Sequence, residues 1–169
     1  MNATEDITNI NNALKHEDEN TMQNRYLTFY IGEEEYGIEI KHVIEIIGIQ
    51  KITPVPNIRK FIKGIINLRG NIIPVVDVRL RFQMPRMEYN DRTCIIVVSV
   101  HNNSIGLIVD EVVEVVNISE DNIAPPPQTN KGAQSRFIQA IGKLDDEVKI
   151  ILNITKLLYD EKREKVEEN

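Results

Sequence analysis

Over residues 26–31 apolar and polar side chains alternate, with Leu27, Phe29 and Ile31 on one side and Tyr26, Thr28 and Tyr30 on the other. A period of two marks a half-buried strand. Gly32-Glu-Glu-Glu35 reads as a polar turn, and residues 36–40 as the returning strand of a hairpin. Lys41-His-Val43 fits one helical turn before β structure resumes over residues 44–49. Pro54 and Pro56 interrupt the next stretch, and residues 57–62 read as a short helix or turn. Two strands, 64–68 and 72–78, flank a tight turn at Arg69-Gly-Asn71. Pro74 is confined to an edge or bulge because it has no N–H to donate. Residues 79–92 are charged and loop-like. Strands then recur at 94–100, 105–109 and 112–116, with Asn102-Asn103 at a hairpin turn. Pro125-Pro-Pro127 to Ser135 reads as a long surface loop. Asn153 is a candidate N-cap for a helix over 155–167, with Ile154, Leu157, Leu158 and Val166 on one side.

This pattern occurs twice. Tyr36-Gly-Ile-Glu-Ile-Lys-His-Val-Ile-Glu-Ile-Ile47 aligns without a gap on Ile105-Gly-Leu-Ile-Val-Asp-Glu-Val-Val-Glu-Val-Val116. A second pair begins at Phe61 and at Phe137, after an insertion near residues 129–135. Two copies suggest two similar subdomains, since a solenoid needs about three or more repeats. The copies part at one turn, Arg69-Gly70 in the first against Asp145-Asp146 in the second, although Leu68 and Leu144 match before it. Two sets of about five short strands predict an all-β protein of paired small barrels, because closure removes exposed sheet edges. The barrels need not coincide with the sequence copies.

Composition narrows the function. The 27 Ile and 15 Val of the 169 residues favour strands. Trp is absent and aromatics are 5%, too few for a stacking platform on single-stranded nucleic acid. A net charge of −6 also disfavours a phosphate-backbone partner. The single cysteine, Cys94, leads into Ile95-Ile-Val-Val98 and reads as a small buried hydrophobe. The first 25 residues lack the apolar core of a signal peptide, and no apolar run approaches a membrane span of about 18 residues. A cytoplasmic protein without direct membrane insertion is expected. Residues 1–24 are rich in Asn, Glu and Asp and read as a disordered tail.

Catalytic chemistry is hard to find. His16, His42 and His101 lie in the tail, a turn and a hairpin tip, without zinc-ligand spacing. There is no nucleophile elbow, and Gly64-Ile-Ile-Asn-Leu-Arg-Gly70 lacks the Lys-Ser/Thr of a phosphate loop. No enzyme activity, metal or cofactor is expected. The surface remains. If Ile44 and Ile46 point inward, Val43, Glu45 and Ile47 point outward, an apolar pair flanking a carboxylate. Contact with the other subdomain explains the same pattern equally well. Arg69 fits simple solvation at a turn tip or a partner contact, and Gly70 implies a positive φ or a close backbone approach there.

Taken together, Tyr36-Gly-Ile-Glu-Ile40, Val43-Ile-Glu-Ile46, Phe61-Ile-Lys-Gly64, Asn67-Leu-Arg-Gly70, Ile73-Pro-Val-Val-Asp-Val78 and Gly106-Leu-Ile-Val-Asp110 resemble the CheW family of chemotaxis coupling proteins. The resemblance runs from about Tyr26 to Leu158. It implies two intertwined, five-stranded, SH3-like or OB-like β-barrels with a hydrophobic groove between them, and no enzymatic activity. It implies a single domain over 25–160, with a first barrel copy at about 26–83, a second at about 92–154, and a C-terminal helix and charged tail over 155–169. Its partners are the regulatory domain of the histidine kinase CheA and the cytoplasmic tips of methyl-accepting receptors. By position, Val43, Glu45 and Gly64, with neighbouring Ile47, fall on the kinase-binding side. Arg69 and Gly70 fall on the receptor-coupling motif, and Val115 falls near the inter-barrel groove. Ala140 replaces a frequent glycine, and the segment around Thr129 is less apolar than in the family. The remaining readings are a coupling module of another chemosensory regulator, CheV-type or a separate kinase regulatory domain, and, from another class, a small β-barrel enzyme or nucleic-acid binder.

Overall fold

The structure, a computed structural model, describes residues 3–15, 23–56, 59, 61–127 and 132–160. Eleven strands are found among them: β1 (Arg25–Ile31), β2 (Glu34–Glu39), β3 (Val43–Gly48), β4 (Ile62–Leu68), β5 (Asn71–Asp77), β6 (Cys94–Val100), β7 (Asn103–Val109), β8 (Glu111–Asn117), β9 (Ile123–Ala124), β10 (Ile138–Leu144) and β11 (Glu147–Leu152). Three helices accompany them: α1 (Ala3–Lys15), α2 (Val78–Arg81) and α3 (Ile154–Tyr159). The strands form a six-stranded sheet in the order β8-β1-β2-β11-β10-β9 and a five-stranded sheet in the order β3-β6-β7-β5-β4.

The sequence copies are not the barrels. Each sheet joins a hairpin from one copy to strands of the other: β1-β2 joins β8, β9, β10 and β11, while β6-β7 joins β3, β4 and β5. The two halves meet through the parallel pairs β2–β11 and β5–β7. The boundaries 26–83 and 92–154 therefore mark repeats, and both barrels draw on both. The connection from β2 explains the crossing. Ile40–His42 form one 3-10 turn, and the burial of Ile40 in the centre of the molecule sends the chain to the other sheet instead of back along the first. One sheet has six strands, not five, because the two-residue β9 adds itself to β10.

The strands are buried more fully than a two-faced alternation suggests, because each sheet has a core on both sides. A central cluster lies between the sheets and takes Leu27, Phe29 and Ile31 from β1 and Ile96, Val98 and Val100 from β6. The opposite faces fill the two concave sheets, with Ile95 and Val97 joining Ile66, Ile73 and Val75 in one, and Tyr26 joining Val116, Ile118 and Ile151 in the other. Period-two geometry thus sends successive side chains to different cores. Cys94 is buried and free, and burial pushes its thiol up to about 11.

Two segments expected to be loops hold structure. Asp77 accepts hydrogen bonds from the backbone N–H groups of Arg79 and Leu80 and so starts α2 within the charged stretch. Arg79 then holds Asp110 through Nε and Nη2 at 2.9 and 2.8 Å, and buried Arg81 donates to the carbonyls of Leu157 and Asp160 at the end of α3. A 3-10 turn over Ala133–Phe137 shortens the expected surface loop, because Phe137 is buried in the central cluster. Asn153 caps α3 through Lys156 N–H, and Ile154, Leu157 and Leu158 are its buried face. That helix ends at Tyr159, where Asp160 is extended; residues 161–169 lie outside the described residues.

The expected disordered tail needs the largest correction. Ala3–Lys15 is helical, and it lies along β3 and touches β8. Ile10 is 9% exposed, and Ile7 and Leu14 pack beside it on the central cluster. Spacings of i, i+3 and i+7 place all three on one helical face. Residues 16–22, the rest of that tail, lie outside the described residues.

Candidate partner-binding site

The candidate residues begin on β3, an end strand of the five-stranded sheet. Its pairing with β6 shifts between Val43 and Glu45, which sit opposite Val98 and Val97. The extra residue, Ile44, is therefore the bulge. This overturns the expected alternation. Ile44 points out, 45% exposed, while Val43 packs on the central cluster with Ile46, and Ile47 packs with the five-stranded core. The extra residue puts Val43 and Ile46, three apart, on the same face, so Ile46 keeps its expected inward place while Val43 and Ile44 exchange theirs. Of the expected outward trio, only Glu45 presents its polar group to a neighbour at the surface.

That neighbour is Arg69, whose guanidinium donates to the Glu45 carboxylate in an ion pair. Arg69 and Gly70 form the two-residue turn between β4 and β5, with Leu68 opposite Asn71. Both turn residues are left-handed, at φ 50° and 89°, as a tight hairpin turn requires. The Asn67 side chain accepts from Gly70 N–H at 2.9 Å and fixes the loop. Because β3 and β4 are the two ends of the sheet, the Glu45–Arg69 pair bridges the opening between them. It also draws together two segments that each expose an isoleucine, Ile44 beside Glu45 and Ile72, 61% exposed, just past the turn.

Neither isoleucine stands out in the sequence. Ile44 is hidden by the bulge. Ile72 has a counterpart that hints at its role: Val148, 56% exposed, holds the same place after the Asp145-Asp146 turn. Asp145 is also left-handed, at φ 56°. Asp tolerates that conformation, whereas Arg is not among the residues enriched there. Arg69 thus holds a place its backbone does not favour, and its side chain is what distinguishes the turn.

Gly64 and Val115 have different surroundings. Gly64 is buried on β4, and a Cβ built on it falls 2.3 Å from the Thr53 carbonyl oxygen. The reason is a local strand contact in which Thr53 and Ile65 exchange backbone hydrogen bonds of 2.9 Å each. Its absent side chain therefore has a packing explanation. Val115 lies on β8, opposite Leu27, and packs partly on the central cluster. The structure thus brings Glu45, Arg69 and Gly70 together, sets Val43 and Ile47 into the cores beside them, and puts Val115 on the end strand of the other sheet.

Among the described residues, no three His, Cys, Asp or Glu side chains are placed to hold a metal ion. No helix among them is long and apolar enough to cross a membrane.

Two intertwined β-sheets with a reciprocal exchange of strands define the fold class, and comparison with known proteins gives it a family. The family model for a CheW-like domain matches residues 25–162. The chemotaxis protein CheW of Klebsiella aerogenes is 35% identical over 141 residues, covering 83% of this chain and 85% of that protein. The chemotaxis protein CheW of Treponema pallidum is 30% identical, covering 87% and 89%. The crystal structure of the scaffolding protein TtCheW from Thermoanaerobacter tengcongensis is similar with a TM-score of 0.74 and 39% identity, covering 79% of this chain and 91% of that one. The chain belongs to the CheW family.

Proposed function

We propose that this chain is a cytoplasmic adaptor that couples methyl-accepting chemotaxis receptors to the histidine kinase CheA, acting by binding and without catalysis of its own. The observation that carries this reading is the family match across residues 25–162, on a fold shared with a scaffolding protein. The match spans 85% and 89% of relatives that are themselves chemotaxis proteins CheW, which favours an adaptor over a module of a larger regulator.

In this reading Val43, Glu45, Ile47 and Gly64 form the kinase side, and Arg69, Gly70 and Val115 the receptor side. The ion pair makes the two sides one unit, because Glu45 and Arg69 share a contact. Val43 and Ile47 support it from beneath, Gly64 shapes the strand beside it, and exposed Ile44 and Ile72 supply the apolar contact. The receptor's apolar helix lies in the seam between the ends of the two sheets, a helix-in-groove contact. Signalling requires that the receptor's states differ in free energy of contact with the adaptor or kinase.

The test is kinase activity in a reconstituted complex of receptor, adaptor and kinase. Arg69→Glu should abolish receptor control, and Asp145→Lys at the equivalent turn should disturb it less. Arg69→Glu should cost at most about 1 kcal/mol of stability through its exposed ion pair, and Asp145→Lys should stay within about 0.5 kcal/mol. Full receptor activation with Arg69→Glu, and its loss with Asp145→Lys, would assign the coupling turn to the other sheet.

A further inference from the structure

Helix α1 lies outside the residues that the family model matches, yet it rests on the strand that carries half the candidate site. Its sequence is a poor helix. Thr, Asp, Ile and Asn dominate it, all less favourable in helices than Ala. Isolated helices of about 12–15 residues are marginal in water even for better sequences. Docking therefore holds α1 together, and undocking unfolds it.

The docking contact imitates a partner. Asn11 Nδ2 donates to the Ile46 carbonyl, and Ile46 N–H donates to Asn11 Oδ1, both at 2.9 Å. One carboxamide thus supplies the donor and acceptor that a neighbouring strand would offer the edge of β3. Asn is a poor choice inside a helix unless its side chain is used. Ile7, Ile10 and Leu14 complete the contact by packing on the central cluster, on a helix that meets both β3 and β8, the end strands of the two sheets. The strands α1 contacts carry the receptor-side elements: β8 holds Val115, and β3, bonded directly at Ile46, holds Glu45, the partner of Arg69. Nine residues separate Lys15 from Arg25. At full extension they span about 30 Å, so α1 can leave the seam without disturbing β1.

We propose that α1 is an intramolecular stand-in for the receptor's helix, occupying the seam in the free chain and leaving when the receptor binds. The proposal rests on the receptor-in-seam reading given under Proposed function. The chemistry of α1 describes the competitor: an amphipathic helix with apolar residues at i, i+3 and i+7, and at i+4 a side chain that both donates and accepts. Receptor affinity is then reduced by the fraction of chains in which the seam is closed.

Three full-length chains test this by calorimetric titration with a purified cytoplasmic hairpin fragment of a receptor. They are the natural sequence, an opened variant and a tightened variant. The opened variant carries Ile10→Asp and Asn11→Ala. The tightened one carries Asn9→Ala and Asn12→Ala, both on the exposed face of α1. Each of these exchanges favours the helix about two- to threefold. Hydrogen exchange at the Ile46 amide reports docking directly, and should be faster in the opened variant and slower in the tightened one. The opened variant should bind the fragment about fivefold or more tightly, and the tightened variant about four- to ninefold more weakly. Asn11→Ala alone should fall between the opened and natural chains. Equal affinities, or weaker binding by the opened variant, would make α1 a structural cap on β3 and end the proposal while the adaptor reading stands. A fragment that binds none of the chains removes the receptor arm of that reading, and the proposal with it.

Discussion

Replacing Gly64 with Ala separates a packing role from a partner role at that position. The added Cβ meets the Thr53 carbonyl oxygen at 2.3 Å, the Thr53 carbonyl carbon at 2.9 Å and the Ile52 side chain at 2.9 Å. The first contact is with backbone, so rotamer change cannot relieve it. Thr53 must retreat by roughly 1 Å to reach ordinary contact distance. The retreat stretches both hydrogen bonds between Thr53 and Ile65 and loosens Ile52, which packs on the five-stranded core. Two lost hydrogen bonds contribute about 1–3 kcal/mol. Overpacking adds about 1–3 kcal/mol. The lower entropy of an unfolded Ala would return about 0.4–1 kcal/mol, but the backbone of Gly64 sits at φ 156°, which a residue with a Cβ rarely adopts, and that strain offsets at least as much. The net loss is about 2–4 kcal/mol, which lowers the melting temperature of a chain this size by about 5–15 °C. Calorimetric melting measures it, and kinase binding should be retained at a temperature where the variant is still folded. A melting temperature within about 2 °C of the natural chain, with kinase binding lost, would refute this reasoning and make Gly64 a direct contact.

The Glu45–Arg69 pair predicts a different pattern. Glu45→Arg or Arg69→Glu alone should cost at most about 1 kcal/mol of stability, as for other exposed pairs. The double exchange Glu45→Arg with Arg69→Glu should recover that stability but not partner binding, because partners would meet reversed charges; recovery of both would reduce the pair to a local latch. Glu39 gives a pH dependence. Its carboxyl is held below the ordinary 4.5, chiefly by a hydrogen bond with His42. The stability it contributes is present above that ordinary value and is lost as pH falls through the lowered one. Glu39→Gln should therefore flatten part of the acid side of a urea-midpoint profile, and an unchanged acid slope would show that the His42 contact is not maintained in solution.

Much of the fold is legible from single residues, and the failures share a cause. Strands show themselves by alternation, the turn at Arg69-Gly70 by its glycine, and α3 by its Asn153 cap, because each signal is local. The reciprocal exchange of strands is not legible, since β3 has the same pattern whichever sheet it joins. The bulge at Ile44 is not legible either, because an extra residue leaves no mark of its own in a run of Ile and Val, yet it decides which side chains face out. Ile7, Ile10 and Leu14 are spaced as a helical face, but the Asn and Asp around them suggest a tail, and only contact with β3 makes the helix stable. The partnership of Glu45 and Arg69 joins residues far apart in sequence through the closing of one sheet. Gly64 carries a constraint that comes from Thr53, which no local pattern connects to it.

The adaptor role is tested most directly by sedimentation of this chain mixed with the regulatory domain of CheA and a receptor cytoplasmic fragment, singly and together. The chain should form a complex with each partner alone and a larger one with both, and Arg69→Glu should remove the receptor from the larger complex. If the chain sediments as free protein in every mixture, or the two partners exclude each other, it does not bridge them.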